Sequence, residues 1–170
     1  MMSTVPTLET ERLILRAPRA SDFCVYRDFF ADAEASAAYG GPLEADRAWR
    51  VLATDLGHWL LRGYGRWSVV EKASGTMIGG CGLWWPEGYP RSELTWWIIP
   101  EARRHGYALE ASKVAVRFGY EALGWPLVET HMNDDNVAAR KLTEKLGGTI
   151  IGRERFPDGL TRNIYALPRP

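Results

Sequence analysis

A short run at the start of a predicted helix combines residue types that could bind an anion. The run is Arg103–Ala108, RRHGYA, with the spacing R-x-x-G-x-A and three basic residues at its start. The first N–H groups of a helix have no partners inside the helix, and the helix dipole adds partial positive charge there. Phosphate or pyrophosphate is therefore the expected ligand, and Gly106, which lacks a Cβ, lets a ligand oxygen approach its backbone. Taken alone, the spacing is more typical of a capping turn whose basic residues face water, because six residues with three constraints recur by chance.

The elements around this run must place it between a strand and a helix. The apolar run Leu94–Ile99 is rich in Trp and Ile and predicts a buried strand. Pro100 has no backbone N–H and ends that strand. From Gly106 onward, apolar residues recur at spacings of three and four and form one stripe: Ala108, Ala111, Ala115, Phe118 and Ala122. The stretch therefore predicts strand, tight turn and helix in that order.

The rest of the chain predicts an α/β fold built on one mixed α+β sheet of about seven strands. The predicted strands are 10–17, 66–71, 76–83, 94–99, 127–132, 149–156 and 160–167. Helices are predicted to begin near Ser21 or Asp22, at Pro42, at Gly106 and after Asn136. The predicted order is one strand, two helices, and then β-β-β-α-β-α-β-β.

Composition favours one soluble domain over residues 1–170 and argues against several functional classes. The formal net charge of zero argues against binding nucleic acid through a broad basic face. Cys24 and Cys81 stand in apolar contexts and indicate free thiols in a reducing cytoplasm. The sequence shows no signal-peptide pattern and no apolar run of membrane-spanning length, so no membrane association is predicted. Its histidines have no partners at metal-ligand spacing, so no metal site is predicted.

Three ordered segments resemble the GCN5-related N-acetyltransferase (GNAT) superfamily. They are LETERLILRAPRASD at 8–22, WWIIPEARRHGYALEA at 96–111 and NVAARKLTEKLGG at 136–148. Within that superfamily the chain looks most like the branch containing the ribosomal-protein N-terminal acetyltransferases. The resemblance implies a GNAT-like fold with helices on both faces of the sheet and splayed central strands. It also implies an enzyme that uses acetyl-coenzyme A and no metal.

The resemblance implies where the cosubstrate binds. The pantetheine arm would lie between the strand ending at Ile99 and the strand 127–132. Candidate cofactor-binding residues are the backbone groups of Trp97, Ile98 and Ile99 and the turn Arg103, Arg104, His105, Gly106, Tyr107 and Ala108. Asn136 would approach from the other side of the gap, although it is equally suited to be a plain helix cap.

Glu93 is the candidate general base, because it matches a glutamate near the start of this strand in many family members. The alternative is a strand-end residue that faces solvent. An α-amine has a pKa of about 8 and a lysine amine of about 10.4, so a strong base is more useful for lysine. The family's acid positions are occupied by Ala139 and Thr143, which leaves Tyr165 as a substitute or as a packed strand residue. A thiol leaving group has a pKa of about 8.5 and departs with little help from an acid.

Three functional interpretations remain open at this point, two of which differ in the acceptor. The first is a protein N-terminal amine, as in the branch that the chain resembles. The second is a small amine such as an amino acid, a polyamine or an aminoglycoside. The third is a non-catalytic module that binds or senses acyl-coenzyme A. An acidic acceptor cavity would favour a polycation, and an open groove would favour a peptide; a homodimer through the terminal strands is compatible with each reading.

Overall fold

The computed structural model describes residues 5–170, in which the chain forms eight strands and four helices. The strands are β1 (Leu8–Glu9), β2 (Leu13–Arg16), β3 (Arg66–Glu71), β4 (Thr76–Trp84), β5 (Glu93–Ile98), β6 (Val128–His131), β7 (Thr149–Arg155) and β8 (Thr161–Leu167). The helices are α1 (Phe23–Ala31), α2 (Ala45–Arg62), α3 (Tyr107–Glu121) and α4 (Val137–Lys145). In the part of the chain described, no helix is long and apolar enough to cross a membrane.

The strands form two antiparallel sheets that meet side by side. The first has the order β1-β2-β3-β4-β5 and the second the order β6-β8-β7. No backbone ladder joins β5 to β6 within residues 5–170. The two strands are nevertheless neighbours, because the Thr130 hydroxyl donates to the Leu94 carbonyl over 2.8 Å. The predicted splay between the central strands is therefore confirmed, and it divides the predicted single sheet in two.

Helices cover both faces, as the sequence predicts. On one face α1 and α2 pack through Tyr26, Phe30 and Leu52 against a cluster that includes Trp97. On the other face α3 buries Ala111 and Ala115 in the main core. The predicted stripe on α3 is correct at these two alanines and wrong at its end, since Ala122 is exposed just beyond the last helical residue.

Two predicted boundaries are wrong for local reasons. The predicted first strand, 10–17, is instead part of a hairpin, because the chain reverses at Thr10, whose N–H donates to the Leu13 carbonyl over 3.0 Å. The second helix begins at Ala45 rather than Pro42, since the backbone of Glu44 is still extended. The final hairpin is as predicted, with β7 and β8 paired across the turn at 157–159.

Candidate active site

The turn before α3 has two residues in the left-handed backbone region. Arg104 has φ of 65° and Gly106 has φ of 81°. Side chains with a Cβ rarely adopt that region, so glycine is the natural residue at position 106. A Cβ built on Gly106 would meet only the Arg12 Nη2 atom, 3.4 Å away. The conformation, rather than crowding, therefore accounts for this glycine.

The backbone N–H groups of residues 104–109 donate to no acceptor in the described part of the chain. Gly106 is the N-cap residue of α3 and supplies no side-chain cap. A chain that leaves successive N–H groups unpaired beside left-handed residues forms an anion-binding concavity. The helix dipole adds to that preference for negative charge. The turn is compatible with the predicted diphosphate, which stays a prediction.

Side chains just before β2 and at the end of β3 hold this turn in place. Arg12 Nη1 donates to the His105 carbonyl over 2.8 Å, and Arg12 Nε donates to Glu110 over 2.7 Å. The Tyr107 hydroxyl donates to Glu71. Sequence reasoning did not assign Arg12 a role, and its position within the first matching segment, at 8–22, was the available signal. The bonds from Arg12 connect the first strands to the proposed phosphate turn.

Arg103 braces the turn against the end of β5. Its Nε donates to the Ile98 carbonyl over 3.0 Å, and its Nη2 donates to the Ala35 carbonyl over 3.3 Å. Arg104 and His105 are exposed, and Tyr107 and Ala108 are half-buried at the first turn of α3. The guanidinium of Arg103, predicted to add positive charge for the ligand, is therefore largely engaged in hydrogen bonds to backbone carbonyls.

The edge of β5 that faces β6 is available along most of its length. In an antiparallel ladder, successive residues direct their backbone groups to opposite sides. The Ile99 N–H bonds to Ile78 of β4, whereas the carbonyls of Leu94 and Ile98 accept bonds from the gap side. The backbone groups of Trp96 and Ile98 therefore face the gap. The predictions for Trp97 and Ile99 need correction, because the backbone groups of Trp97 face β4 and its side chain is fully buried, while the Ile99 N–H and carbonyl are bonded to Ile78 and Ala102.

A cavity of about 660 Å³ opens beside this gap and is lined by Glu93 and Asn136. Residues 103–108 do not line it, so the proposed phosphate turn and the proposed base lie at separate places along the gap. The cavity wall also contains charged, aromatic and amide side chains from both sheets: Arg66, Trp84, Tyr89, Trp96, His131, Asn133, Asp158 and Arg162. A cavity of this size fits a small molecule or the end of a peptide.

Glu93 stands at the first position of β5 with 15% of its side chain exposed. Burial disfavours the charged carboxylate and raises the pKa of Glu93 to about 8, while the nearby charges of Arg66 and Arg162 oppose that rise. The alternative of a solvent-facing strand end does not fit this burial. A carboxyl group that titrates near neutral pH is well matched to accepting a proton from an amine.

His131 faces Glu93 from the end of β6 and was missed as a functional candidate. Its Nε2 atom lies 3.3 Å from Glu93 Oε2 and has no hydrogen-bond partner among residues 5–170. Burial lowers the pKa of His131 to about 4, so the ring is neutral at pH 7. A small rotation would let a protonated Glu93 donate to this nitrogen. The sequence predicted that the strands carrying Glu93 and His131 are neighbours. It did not predict the register between them, which decides whether the two side chains meet.

Asn136 is the N-cap residue of α4 and also faces the cavity. Its Oδ1 accepts a bond from the Ala139 N–H over 3.1 Å, which is the capping interaction expected for asparagine. No bond from its Nδ2 to residues 5–170 is seen. The cap is therefore present, and the amide donor is left for a ligand. Thr143 is fully buried, and Tyr165 is packed with Met132 and Ala139.

Comparisons with known proteins cover nearly the whole chain. Residues 12–149 match the family model of the acetyltransferase (GNAT) domain. The chain is 27% identical over 173 aligned residues to the uncharacterized N-acetyltransferase YoaA of Bacillus subtilis strain 168, covering 97% of this chain and 98% of that protein. It superposes on an acetyltransferase of Agrobacterium tumefaciens strain C58 with a TM-score of 0.88 at 30% identity, covering 97% of this chain and 95% of that one. The ribosomal-protein-S5-alanine acetyltransferase of Vibrio fischeri shares the fold, with a TM-score of 0.71 at 14% identity, covering 95% of this chain and 96% of that chain.

Proposed function

The chain belongs to the GNAT family of acetyltransferases, and we propose that it moves the acetyl group of acetyl-coenzyme A to a primary amine. The observation that carries this proposal is the row of unpaired N–H groups at residues 104–109, at one end of a gap between strands. Pyrophosphate would be held by those amides. The pantetheine arm would run along the β5 edge, where Trp96 and Ile98 direct backbone groups into the gap, and Asn136 Nδ2 would meet it from the opposite side.

Glu93 is the group that we assign to proton transfer. The acceptor nitrogen attacks the thioester carbonyl carbon, the carbon–sulfur bond breaks, and the amine proton passes to Glu93 directly or through water. A carboxylate on Glu93 is required, so the reactive form increases as the pH rises through about 8. The thiolate departs without a dedicated acid, since its pKa is about 8.5. Backbone donors on β5 beside the thioester would stabilise the developing oxyanion.

The acceptor class is a separate question within this proposal. A protein N-terminal amine is suggested by the fold shared with the ribosomal-protein-S5-alanine acetyltransferase. A small amine is suggested by the size of the cavity beside Glu93. The two candidates differ in the group next to the carbon that carries the amine. In a protein N-terminus, that group is a neutral peptide bond.

A thiol-release assay with acetyl-coenzyme A tests the proposal. The enzyme is mixed with the cosubstrate and, in parallel, with amino acids, polyamines, aminoglycosides and short peptides. We expect release that depends on one amine class, with the acetylated amine identified by mass spectrometry. Binding of acetyl-coenzyme A without amine-dependent release would support the non-catalytic module instead. Failure to bind the cosubstrate would contradict the whole assignment.

A further inference from the structure

Three neighbouring strands place Arg66, Trp84 and Glu93 on one face of the first sheet. Trp84 lies directly across from Glu93, and Arg66 lies directly across from Gly82, two residues before Trp84. Directly opposed residues share a face, and so do residues two apart on a strand. The Arg66 guanidinium lies 4.3 Å from the centroid of the Trp84 ring. The Arg66 side chain therefore extends across the sheet towards Glu93, the proposed base, and the Trp84 indole lies between the two.

A buried scaffold fixes this guanidinium in one orientation. Arg66 Nε donates to Asp55 Oδ1 over 2.8 Å, and Arg66 Nη2 lies 2.6 Å from the same oxygen in an ion pair. Asp55 is fully buried, and the Tyr26 hydroxyl donates to its other oxygen over 2.8 Å. Only 13% of the Arg66 side chain is exposed. An arginine held this way binds a further ligand with little loss of side-chain freedom.

One edge of Arg66 is left open to the cavity. Its Nη1 donates to no acceptor within residues 5–170. The atom is nevertheless not fully enclosed by the described part of the chain, so a ligand can reach it. The other lining arginine differs, because Arg162 donates both Nη atoms to Asp158 and its Nε to Asn133. Asp158 is likewise occupied by that pair. The charged lining of the cavity is mixed, with Glu93, Asp135 and Asp158 against Arg66 and Arg162, rather than the acidic lining expected for a polycation.

We propose that Arg66 binds a carboxylate on the acceptor, and that the acceptor is a free amino acid or a close analogue. The inference rests on the proposed acetyl transfer and names its substrate class. The amine would lie at Glu93, the carbon skeleton over Trp84, and the carboxylate on the open edge of Arg66. Guanidinium groups recognise carboxylates through paired, charge-assisted hydrogen bonds. The ion pair with Asp55 accounts for the other edge of Arg66 and leaves this one for a ligand.

Matched acceptors test the role of the carboxylate. Each amino acid is compared with its carboxamide, and kcat/KM is expressed per deprotonated amine so that the two amine pKa values do not bias the result. Wild-type enzyme is expected to prefer the acid by about tenfold or more, the size expected for hydrogen bonds to a charged group. Peptides that begin with the same residue form a third arm, because their amine is followed by a neutral amide.

Variants of the buried pair assign the preference to Arg66. Removal of Arg66 alone would leave the buried charge of Asp55 without an ion-pair partner, which is strongly destabilising. The double variant Arg66→Gln/Asp55→Asn removes both charges, and we expect the acid-to-amide ratio to fall to about one, since the charged hydrogen bonds that produced it are gone. Asp55→Asn alone keeps the guanidinium and is expected to keep the preference. Because the ratio is measured within one preparation, the fraction of folded enzyme cancels.

Two results would overturn this inference while leaving acetyl transfer in place. One is steady thiol release in which wild-type enzyme uses the amide or the peptide as well as the acid. The other is an acid preference that survives in the double variant. Absence of thiol release with every amine would contradict the proposed function itself, so the two failures are distinguishable.

Discussion

Glu93 and His131 are the two titratable side chains whose protonation states decide the chemistry proposed for the site. Both side chains are largely buried, and each is held in its neutral form at pH 7 by that burial. The proton that titrates near neutral pH is therefore the one on the Glu93 carboxyl. The enzyme must lose that proton before Glu93 can accept one from an amine, which sets the direction of the pH dependence.

We predict that activity rises with pH through about 8 and that Glu93→Gln removes this rise. The raised pKa of Glu93 means that its carboxylate form is present above that pH and is lost below it. The measurement is kcat/KM against pH, expressed per deprotonated amine, so that only the titration of the enzyme remains. An unchanged rate and profile in Glu93→Gln would exclude Glu93 as the base.

His131→Gln tests whether the neighbouring ring tunes that titration. A glutamine amide can donate a hydrogen bond to the Glu93 carboxylate, which favours the charged form. We therefore expect the rise in kcat/KM to move to lower pH, while the KM for acetyl-coenzyme A stays unchanged. His58→Gln is a matched control, since His58 is bonded to Tyr64 and Trp85 and does not line the cavity. An identical profile in His131→Gln and wild type would show that the 3.3 Å approach has no functional effect.

Residue types were easier to predict than residue contacts. Glu93 could be proposed because it matches a glutamate near the start of this strand in many family members, and its role stays a prediction. The direction of the Trp97 backbone could not, because it depends on the alternation of one ladder, and sequence does not fix where that ladder begins. The pairing of His131 with Glu93 depends in the same way on the register between strands that share no ladder.

The first turn of α3 is the element on which the proposed cosubstrate binding depends. Its conformation requires positive φ at position 106, and its amides have no protein acceptors among residues 5–170. The same kind of backbone occurs at Gly124, just after α3, where φ is 65° and a Cβ would meet nothing within 4 Å. These two glycines make a matched pair at opposite ends of one helix.

Gly106→Ala and Gly124→Ala are predicted to have the same structural cost and different functional costs. Each places a Cβ in the left-handed region, which destabilises by about 1–2 kcal/mol. Only Gly106→Ala alters the phosphate turn, so we expect it alone to weaken acetyl-coenzyme A binding, by about tenfold for each 1.4 kcal/mol of binding free energy lost. Calorimetry of unfolding and of binding measures both effects. Equal binding by the two variants would contradict a role for this turn.

Two substitutions of Asn136, at the start of α4, separate its helix-capping role from its proposed contact with the ligand. Asn136→Asp keeps an oxygen for the Ala139 N–H and removes the amide donor. We predict nearly unchanged stability and a higher KM for acetyl-coenzyme A. Asn136→Ala removes the cap as well and is expected to cost about 1 kcal/mol of stability in addition. A KM that changes only in the alanine variant would assign Asn136 to capping alone.

The elements themselves were largely predictable from periodicity and turn residues. Alternation and apolar runs gave β3 to β8, and spacings of three and four gave α3 and α4. The first strand was misplaced because a short hairpin at Thr10 interrupts it, and nothing in its composition marks a reversal there. The exposed β7, with Ile150 and Ile151 on the surface, is compatible with the predicted homodimer, which stays a prediction.

At the scale of the molecule, the site exists because two sheets meet without pairing. The gap between β5 and β6 begins near the turn at 104–109 and reaches the cavity at Glu93. One face of the first sheet supplies Glu93 and Arg66, and the second sheet supplies His131 and Arg162. The order of elements predicted that these parts belong together, but their relative placement follows from packing on both sheet faces, which sequence patterns do not specify.

The most direct test is to follow the backbone amide resonances of residues 104–109 by NMR during a titration with coenzyme A. We predict that these resonances shift together with a single dissociation constant and that their amide hydrogens become protected from exchange. Acetyl-pantetheine, which lacks the diphosphate, should leave them unchanged while still shifting Trp96 and Ile98 in the gap. Saturable binding of coenzyme A with no change at residues 104–109 would contradict the account.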